Sequence, residues 1–426
     1  MRNQVRTGQL ANGFRYYSQY DYSHGTHLAG IGTKVGAIHA SDGCVGLPHL
    51  VEHMLARQSM KYSSREVDLI CQKYLGQADE DINIRIDRVS TFYGFGDLRT
   101  NKAMVDCFDV MAHFLRDRML TMEGLEVERA AVLNEYYLRG VDDMPALIDD
   151  SIHEIMYSDN PARMRIDCIP ADLAGISISK VRSFVKKHYV PRNMFMIMLG
   201  PKFEEVKQFA ESYFGDNQWE DKSVPRMNHN NFKTLPVLKG IVSSEIVRPH
   251  IGQYHFALGF PTESYISSDA ETLEMIARIL TFRLAFRLRE SNRKFDEGVY
   301  RANVYTSRSF VHGLIYATFA TVGRDFAQYG EQAILEECDK LKNELVDDRE
   351  LDAMSHYVDS AYLEAFNKNP TALSEMIIEA VCNGDEDMTH LHGFRNRLHA
   401  VSRKKIRNVA NKYFTKDYAR VLIKPA

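Results

Sequence analysis

The sequence predicts an α+β fold of two homologous α/β-sandwich halves, each a mixed, mostly antiparallel sheet with helices on one face, joined by a linker. The chain has 426 residues, more than one hydrophobic core usually organises. Strand-like and helix-like segments recur in a similar order in the two parts of the chain. Between them, residues 216–236 are polar and lack periodicity. We therefore predict an N-terminal half over residues 1–215 and a C-terminal half over residues 237–426.

The N-terminal half alternates strand-like and helical segments. Residues 27–36 and 88–95 are rich in apolar and aromatic side chains, which favours strands. Residues 195–199 predict another strand, and a helix over residues 203–214 follows it. Apolar residues also recur with helical spacing over residues 47–57, 65–75, 102–116 and 123–139.

The C-terminal half repeats this order. Its predicted elements are strands over residues 252–260, 298–305 and 314–321, a long helix over residues 270–290, and a closing helix and strand over residues 402–413 and 419–423. The strand pair within residues 298–321 corresponds to residues 82–95 of the first half. The second half contains no histidine pair like the one described below, so we expect any metal chemistry to lie in the first half.

Composition narrows the classes of function. Hydrophobic residues make up 45% and charged residues 26% of the chain, with a formal charge of −4 and no basic block. This balance is typical of a globular protein and argues against nucleic acid or an anionic membrane as the main partner. No apolar stretch is long enough to span a bilayer, and the first residues lack an apolar signal region. We expect a cytoplasmic chain, with import into an organelle left open.

The six cysteines are scattered without paired spacing. In a chain of this length they predict buried apolar side chains and a reducing compartment rather than a disulfide framework. Cys44 lies close to the motif described next and is a less favoured candidate for a metal ligand.

The segment from His49 to His53 carries the clearest chemical pattern. Because a helix advances about 100° per residue, His49, Glu52 and His53 fall on one face. Two imidazoles one turn apart can bind one metal ion, and the carboxylate between them can accept a proton from water. The alternative is a chance match among the 16 histidines of the chain, with ordinary polar or core side chains.

A third ligand is needed, and the helix predicted over residues 123–139 is dense in acids. Glu128 and Glu135 lie seven residues apart and share a face with Ala131 and Val132. A carboxylate on a buried face is costly unless it is paired or binds a metal. From the residues alone, solvated surface acids remain the alternative for each of these glutamates.

At this point the sequence resembles the pitrilysin/insulinase family of inverted zinc peptidases, which includes the mitochondrial processing peptidases. The run from Gly46 to Met54 is similar to the signature G-x-x-H-x-x-E-H-M of that family. The segment from Glu128 to Glu135 resembles the downstream E-x6-E motif, and Leu10–Arg15 resembles the opening strand. Tyr189–Met194 resembles the end of the first domain. The resemblance covers nearly the whole chain and is closest to the short, two-domain branch.

The resemblance implies a zinc metalloendopeptidase that cleaves short or unfolded peptides. One Zn²⁺ per chain would be bound by His49, His53 and Glu135. Glu52 would be the general base, and Glu128 would orient a histidine from outside the ligand set. The family also implies pairing, as a homodimer or as a heterodimer with a related subunit.

Two substrate-holding features of the family match less closely. Asn83 lies in the counterpart of the edge strand with the pattern G-G-x-x-N-A-x-T, but the second Gly, the Ala and the Thr are absent. An Arg/Tyr pair of the family corresponds to Arg289 and Tyr300, with Tyr305 as a rival for the tyrosine. Arg283 and Arg287, on the same predicted helix, are expected to be solvated.

Two other functions stay open. The chain could be a catalytically weak or inactive subunit of a heterodimeric peptidase, or a non-catalytic scaffold of the same fold. It could also be a metal-dependent hydrolase of another class, although no phosphate-binding motif occurs in a strand-to-helix setting.

Overall fold

The structure of the chain is a computed structural model. It describes residues 4–20, 27–41, 43–75, 82–158, 160–215, 236–290, 299, 301–309 and 312–426. The chain divides into two compact units. Unit 1 comprises Met1–Tyr136, Met164–Met227 and Tyr362–His392, and unit 2 comprises Tyr137–Arg163, Asn228–Ala361 and Gly393–Ala426.

Eleven strands lie in the described residues. They are β1 (Arg6–Gln9), β2 (Arg15–Gln19), β3 (His27–Thr33), β4 (Ile82–Ile86), β5 (Thr91–Leu98), β6 (Met194–Leu199), β7 (Val242–Arg248), β8 (Tyr254–Thr262), β9 (Ala302–Ser309), β10 (His312–Thr321) and β11 (Ala419–Pro425).

The same described ranges contain fourteen α-helices. They are α1 (Leu47–Arg57), α2 (Ser64–Leu75), α3 (Asn101–Arg116), α4 (Met122–Asp142), α5 (Met144–Met156), α6 (Pro170–Ala174), α7 (Ile178–His188), α8 (Phe203–Phe214), α9 (Ala270–Glu290), α10 (Arg324–Asn343), α11 (Asp348–Lys368), α12 (Pro370–Cys382), α13 (Thr389–His399) and α14 (Arg403–Tyr413).

Unit 1 is built on a six-stranded sheet in the order β1-β2-β6-β3-β5-β4. The pair β2–β6 is parallel and every other pair is antiparallel. The central strand β6 has an uninterrupted apolar sequence and is buried along its whole length, as a strand covered on both faces requires. On one face the core includes Leu50 and Met54 of α1, Phe108 of α3 and Val132 of α4.

The other face of this sheet is also covered, by the segment that includes α12. Tyr17 donates a hydrogen bond to the carbonyl of Glu386 (3.1 Å), and Gln19 donates one to the carbonyl of Phe366 (3.0 Å). A segment from the second half of the chain therefore covers this face of the unit 1 sheet.

Unit 2 contains a five-stranded sheet in the order β7-β11-β8-β10-β9. Its one parallel pair is β7–β11, and the remaining pairs are antiparallel. This order and these directions repeat those of β2-β6-β3-β5-β4 in unit 1. The repeat confirms the predicted fold class of two related α/β units.

The two compact units differ from the consecutive ranges predicted from the sequence. Helix α5 belongs to unit 2, where Ile148 and Ile152 pack in one apolar cluster with Leu314 and Val421. Residues 362–392 belong to unit 1 in the same way. The physical reason is that each sheet buries its second face under a helix from the other half of the chain. The predicted linker, residues 216–236, lies outside the described residues except for Pro236, and stays a prediction.

Candidate metal centre

Helix α1 begins at a position that only glycine adopts easily. Gly46 caps the helix with φ +90° and ψ −4°, in the left-handed region that costs other residues energy. The carbonyl of Gly46 accepts the helical hydrogen bond of Leu50 N–H at 2.9 Å. Pro48 lies in the first turn, where its fixed φ is favourable. The helix therefore starts two residues before His49.

The polar face of α1 brings three candidate residues together. Donor atoms of His49, Glu52 and His53 all lie within 4.8 Å of one another. Only 3% of His49 and 5% of Glu52 is exposed, and the two imidazole rings have centroids 4.9 Å apart. Buried imidazole and carboxylate groups this close need a cation or a proton among them.

Helix α4 adds Glu135 to this cluster. Glu135 Oε2 lies 3.4 Å from His49 Nε2 and 3.2 Å from His53 Nε2. Two ligand atoms bound tetrahedrally to one zinc ion lie about 3.3–3.4 Å apart. The two distances from Glu135 Oε2 to the histidine nitrogens therefore fit a zinc site. Glu52 Oε2 lies 3.7 Å from His49 Nε2, so both glutamates lie close to the histidines. The assignment of Glu135 as the third ligand and of Glu52 as the general base stays a prediction.

Glu128 lies two turns before Glu135 on α4 and faces the other nitrogen of His53. Its Oε2 is 3.4 Å from His53 Nδ1, and its Oε1 accepts a hydrogen bond from Arg57 Nη1 at 2.8 Å. Arg57 was not predicted from the sequence, although its spacing of four residues from His53 places it on the same helix face.

The charges of the cluster favour a bound cation. Burial lowers the pKa of His53, but hydrogen bonds to Glu128 and Glu135 outweigh burial and raise that pKa to about 10. Burial raises the pKa of Glu128, and the hydrogen bonds from His53 and Arg57 reverse this and lower it. The carboxylates thus stabilise positive charge, which a proton or a divalent metal ion can supply.

Two buried tyrosines lie in the electrostatic surroundings of Glu52. The hydroxyl groups of Tyr93 and Tyr189 are 3.4 Å apart. Burial, together with the charge of Glu52, raises the pKa of Tyr189 to about 12. Burial likewise raises the pKa of Tyr93. Both phenols are therefore neutral at physiological pH.

The described residues include only part of the predicted substrate-binding set. Asn83 lies on β4, opposite Gly94 of β5, but its side chain lies outside the described residues, as does the whole of Tyr300. Arg289 is exposed in the last turn of α9. Tyr305 is 44% exposed, with its ring centroid 5.4 Å from that of Tyr316. The roles predicted for Asn83, Arg289 and Tyr300 stay predictions.

The expectation of solvated arginines on α9 is wrong. Arg283 forms a two-pronged ion pair with Glu350, at 2.7 and 2.6 Å. Arg287 binds Glu337 at 3.1 Å and also pairs with Glu336. A partly buried guanidinium is stabilised by such paired carboxylates, which lie on α10 and in the first turn of α11.

The cysteines are buried and unpaired, which confirms that they do not form a disulfide framework. Cys44 is not among the donor atoms of the metal cluster found in the described ranges. Its sulfur accepts a hydrogen bond from Lys180 Nζ at 3.4 Å.

None of the helices in the described part of the chain is both long and apolar enough to cross a bilayer.

Two family models match the chain. Residues 16–168 match the model described as insulinase (peptidase family M16), and residues 175–356 match the one described as peptidase M16 inactive domain. Every candidate metal residue, from His49 to Glu135, lies within the first match.

Individual relatives have low sequence identity to this chain, and the two described next are named as a zinc protease and as a subunit of a peptidase. The uncharacterized zinc protease YmxG of Bacillus subtilis is 21% identical over 427 residues, covering 97% of both chains. The beta subunit of the mitochondrial-processing peptidase of Saccharomyces cerevisiae is 23% identical over 223 residues, which is 52% of this chain and 46% of the relative. The chain spans only 33% to 47% of the length of the first three curated relatives.

Solved structures show the same fold. A protease from Helicobacter pylori superposes with a TM-score of 0.86 at 16% identity, covering 100% of both chains. At this identity the likeness concerns the fold.

Proposed function

This chain belongs to the insulinase-type peptidase family M16, and from that premise we propose that it is a zinc-dependent endopeptidase for short or unfolded peptides. The observation that carries the proposal is the position of Glu135 Oε2, which lies 3.4 Å from His49 Nε2 and 3.2 Å from His53 Nε2. One Zn²⁺ per chain would be held by these three side chains.

Each residue of the cluster has a distinct role in this proposal. Zinc would polarise the scissile carbonyl and acidify water. Glu52 accepts the proton of the attacking water and passes it to the leaving amine, as a buried carboxylate next to the ligand set can. Glu128 holds the ring of His53 through Nδ1, which fixes the tautomer that offers Nε2 to a metal.

Substrate would bind as an added strand. Among the described strands, β4 is the last in its sheet, and an edge strand offers free backbone groups to an extended peptide. We propose that Asn83 contributes to this edge. Arg289 and Tyr300 would stabilise negative charge on the carbonyl oxygen, with Tyr305 as the alternative tyrosine. Strand addition favours unfolded peptides, because folded proteins hide their backbone groups.

Replacing Glu52 by Gln tests the assignment. The change keeps the size of the side chain and removes its basicity, so we expect peptide cleavage to fall by at least about 100-fold, with zinc still bound at one ion per chain. Hydrolysis of a quenched fluorescent peptide and metal analysis of the same sample measure both quantities. Glu123→Gln, an exposed acid on α4, is the matched control and should leave both unchanged. Full cleavage by Glu52→Gln with zinc retained would contradict the proposal.

A catalytically weak subunit or scaffold is the second candidate. It is supported by the match of residues 175–356 to a domain model described as inactive, and by relatives named as subunits. The proposed assembly is a homodimer, or a heterodimer with a related subunit. Native mass together with zinc content separates these: one zinc per chain in an active homodimer supports a self-sufficient peptidase. A cytoplasmic location stays a prediction.

A further inference from the structure

Arg57 ends helix α1 on the side that carries the metal cluster. It follows His53 by four residues, as His53 follows His49, so the three side chains stack along one side of the helix. Arg57 Nη1 donates to Glu128 Oε1 at 2.8 Å. The second oxygen of that carboxylate is the one that lies 3.4 Å from His53 Nδ1.

Helices α1 and α4 therefore meet through two carboxylates that each bridge neighbouring side chains of α1. Glu135 contacts His49 and His53, whereas Glu128 contacts His53 and Arg57. Glu128 and Glu135 are about 10.5 Å apart along α4, and His49 and Arg57 are about 12 Å apart along α1. Of the three side chains His49, His53 and Arg57, it is His53 that contacts both carboxylates.

The two histidines differ in what holds their second ring nitrogen. His49 Nδ1 is buried and has no hydrogen-bond partner among the described residues, so packing orients that ring. His53 is less buried, with 24% of its side chain exposed, and Glu128 is only 12% exposed. The orientation of His53 therefore depends on the Glu128 carboxylate, and that carboxylate needs a fixed cationic partner at its other oxygen.

We propose that Arg57 is a positioning residue for the metal site, acting through Glu128 on His53. By binding Oε1, the guanidinium leaves Oε2 to accept from His53 Nδ1, so that Nε2 faces the other two donor atoms. This inference rests on the proposed zinc site. The planar guanidinium fixes the direction of its hydrogen bonds, whereas a lysine supplies the charge without that geometry.

A double-mutant cycle with Glu128 tests the inference. Partners of a metal-bound histidine typically contribute 10- to 100-fold to affinity, so we expect Arg57→Ala to weaken zinc binding by about 10-fold and Arg57→Lys by less. The zinc dissociation constant is measured by competition with a chromophoric chelator. In the Glu128→Gln background, Arg57→Ala should add less than about twofold, because the two residues act as one unit. In the single variant Arg57→Ala, we expect the kcat of peptide cleavage to fall with little change in KM.

Arg129→Ala is the matched control. Arg129 follows Glu128 on α4 and holds that helix through the carbonyls of Leu173 and Ile176. If Arg57 merely stabilised the packing of α4, both arginine variants would weaken zinc binding alike, which would overturn the inference. An equal loss for Arg57→Ala with and without Glu128 would also overturn it. Far-UV circular dichroism verifies folding of each variant.

The outcome also separates this inference from the proposed function. Wild-type protein that binds no zinc would contradict the zinc site itself. Wild-type protein that binds one zinc per chain, with unchanged affinity in Arg57→Ala, would contradict only the role of Arg57.

Discussion

Helix α1 follows two glycines in the left-handed conformation, and replacing each of them measures how much its backbone conformation and its packing contribute to stability. Gly43 and Gly46 both have positive φ, +72° and +90°. A Cβ added at Gly43 would meet no atom within 4 Å, whereas one at Gly46 would lie 2.4 Å from Cβ and 2.6 Å from Cα of Cys168. Because Cα is a backbone atom, no change of side-chain rotamer relieves that contact.

Alanine at each position should therefore destabilise the protein by different amounts. Gly43→Ala imposes only the left-handed conformation, which costs about 1–2 kcal/mol. Gly46→Ala adds a steric overlap in a packed region, worth about 1–3 kcal/mol more, for a total of about 2–5 kcal/mol. The excess of the second variant over the first isolates the packing contribution of Cys168.

Urea unfolding followed by far-UV circular dichroism measures both free energies. The zinc dissociation constant of each variant gives a second readout. We expect weaker zinc binding for Gly46→Ala than for Gly43→Ala, because Gly46 accepts the hydrogen bond of Leu50 that begins the helix carrying His49. Equal unfolding free energies for the two variants would refute the reasoning, since only one of them meets Cys168.

Two further predictions concern the metal and pH. Glu135→Gln removes a proposed ligand and should weaken zinc binding by more than about 100-fold. At zinc concentrations 100 times the wild-type dissociation constant, the stabilisation by zinc should fall from about 2.7 kcal/mol to below about 0.4 kcal/mol. Glu123→Gln is the control, and unchanged zinc binding in Glu135→Gln would exclude Glu135 as a ligand. Burial lowers the pKa of His188 to about 4, so the unfolded chain binds the proton first and stability falls as pH drops from about 6.5 towards 4. At pH 5 the protonation of the unfolded chain lowers the free energy of unfolding by about 2 kcal/mol. We therefore expect His188→Gln to lose less stability between pH 7 and pH 5 than the wild type. An equal loss of stability in the two proteins would show that another group is responsible.

Two helices were predicted from the sequence with the bounds that the structure has. The bounds predicted for α1 and α9, residues 47–57 and 270–290, are those of the structure. Residues 324–399 form four helices, α10 to α13, for which sequence analysis made no assignment. The helix α5 was also missed. The covering of each sheet by a helix from the other half depends on contacts between segments far apart in sequence, which periodicity does not report.

The candidate metal site was likewise predicted only in part from the sequence. By itself, the sequence determined that His49, Glu52 and His53 share one helix face, because 3.6 residues per turn fixes which side chains are neighbours. It also indicated a face of acids on α4, and the family resemblance singled out Glu135 among them. Only the tertiary structure decided that Glu135 Oε2 meets both histidines while Glu128 meets His53 and Arg57. The physical reason is that backbone periodicity is local, whereas the register of two packed helices is set by the apolar core between them.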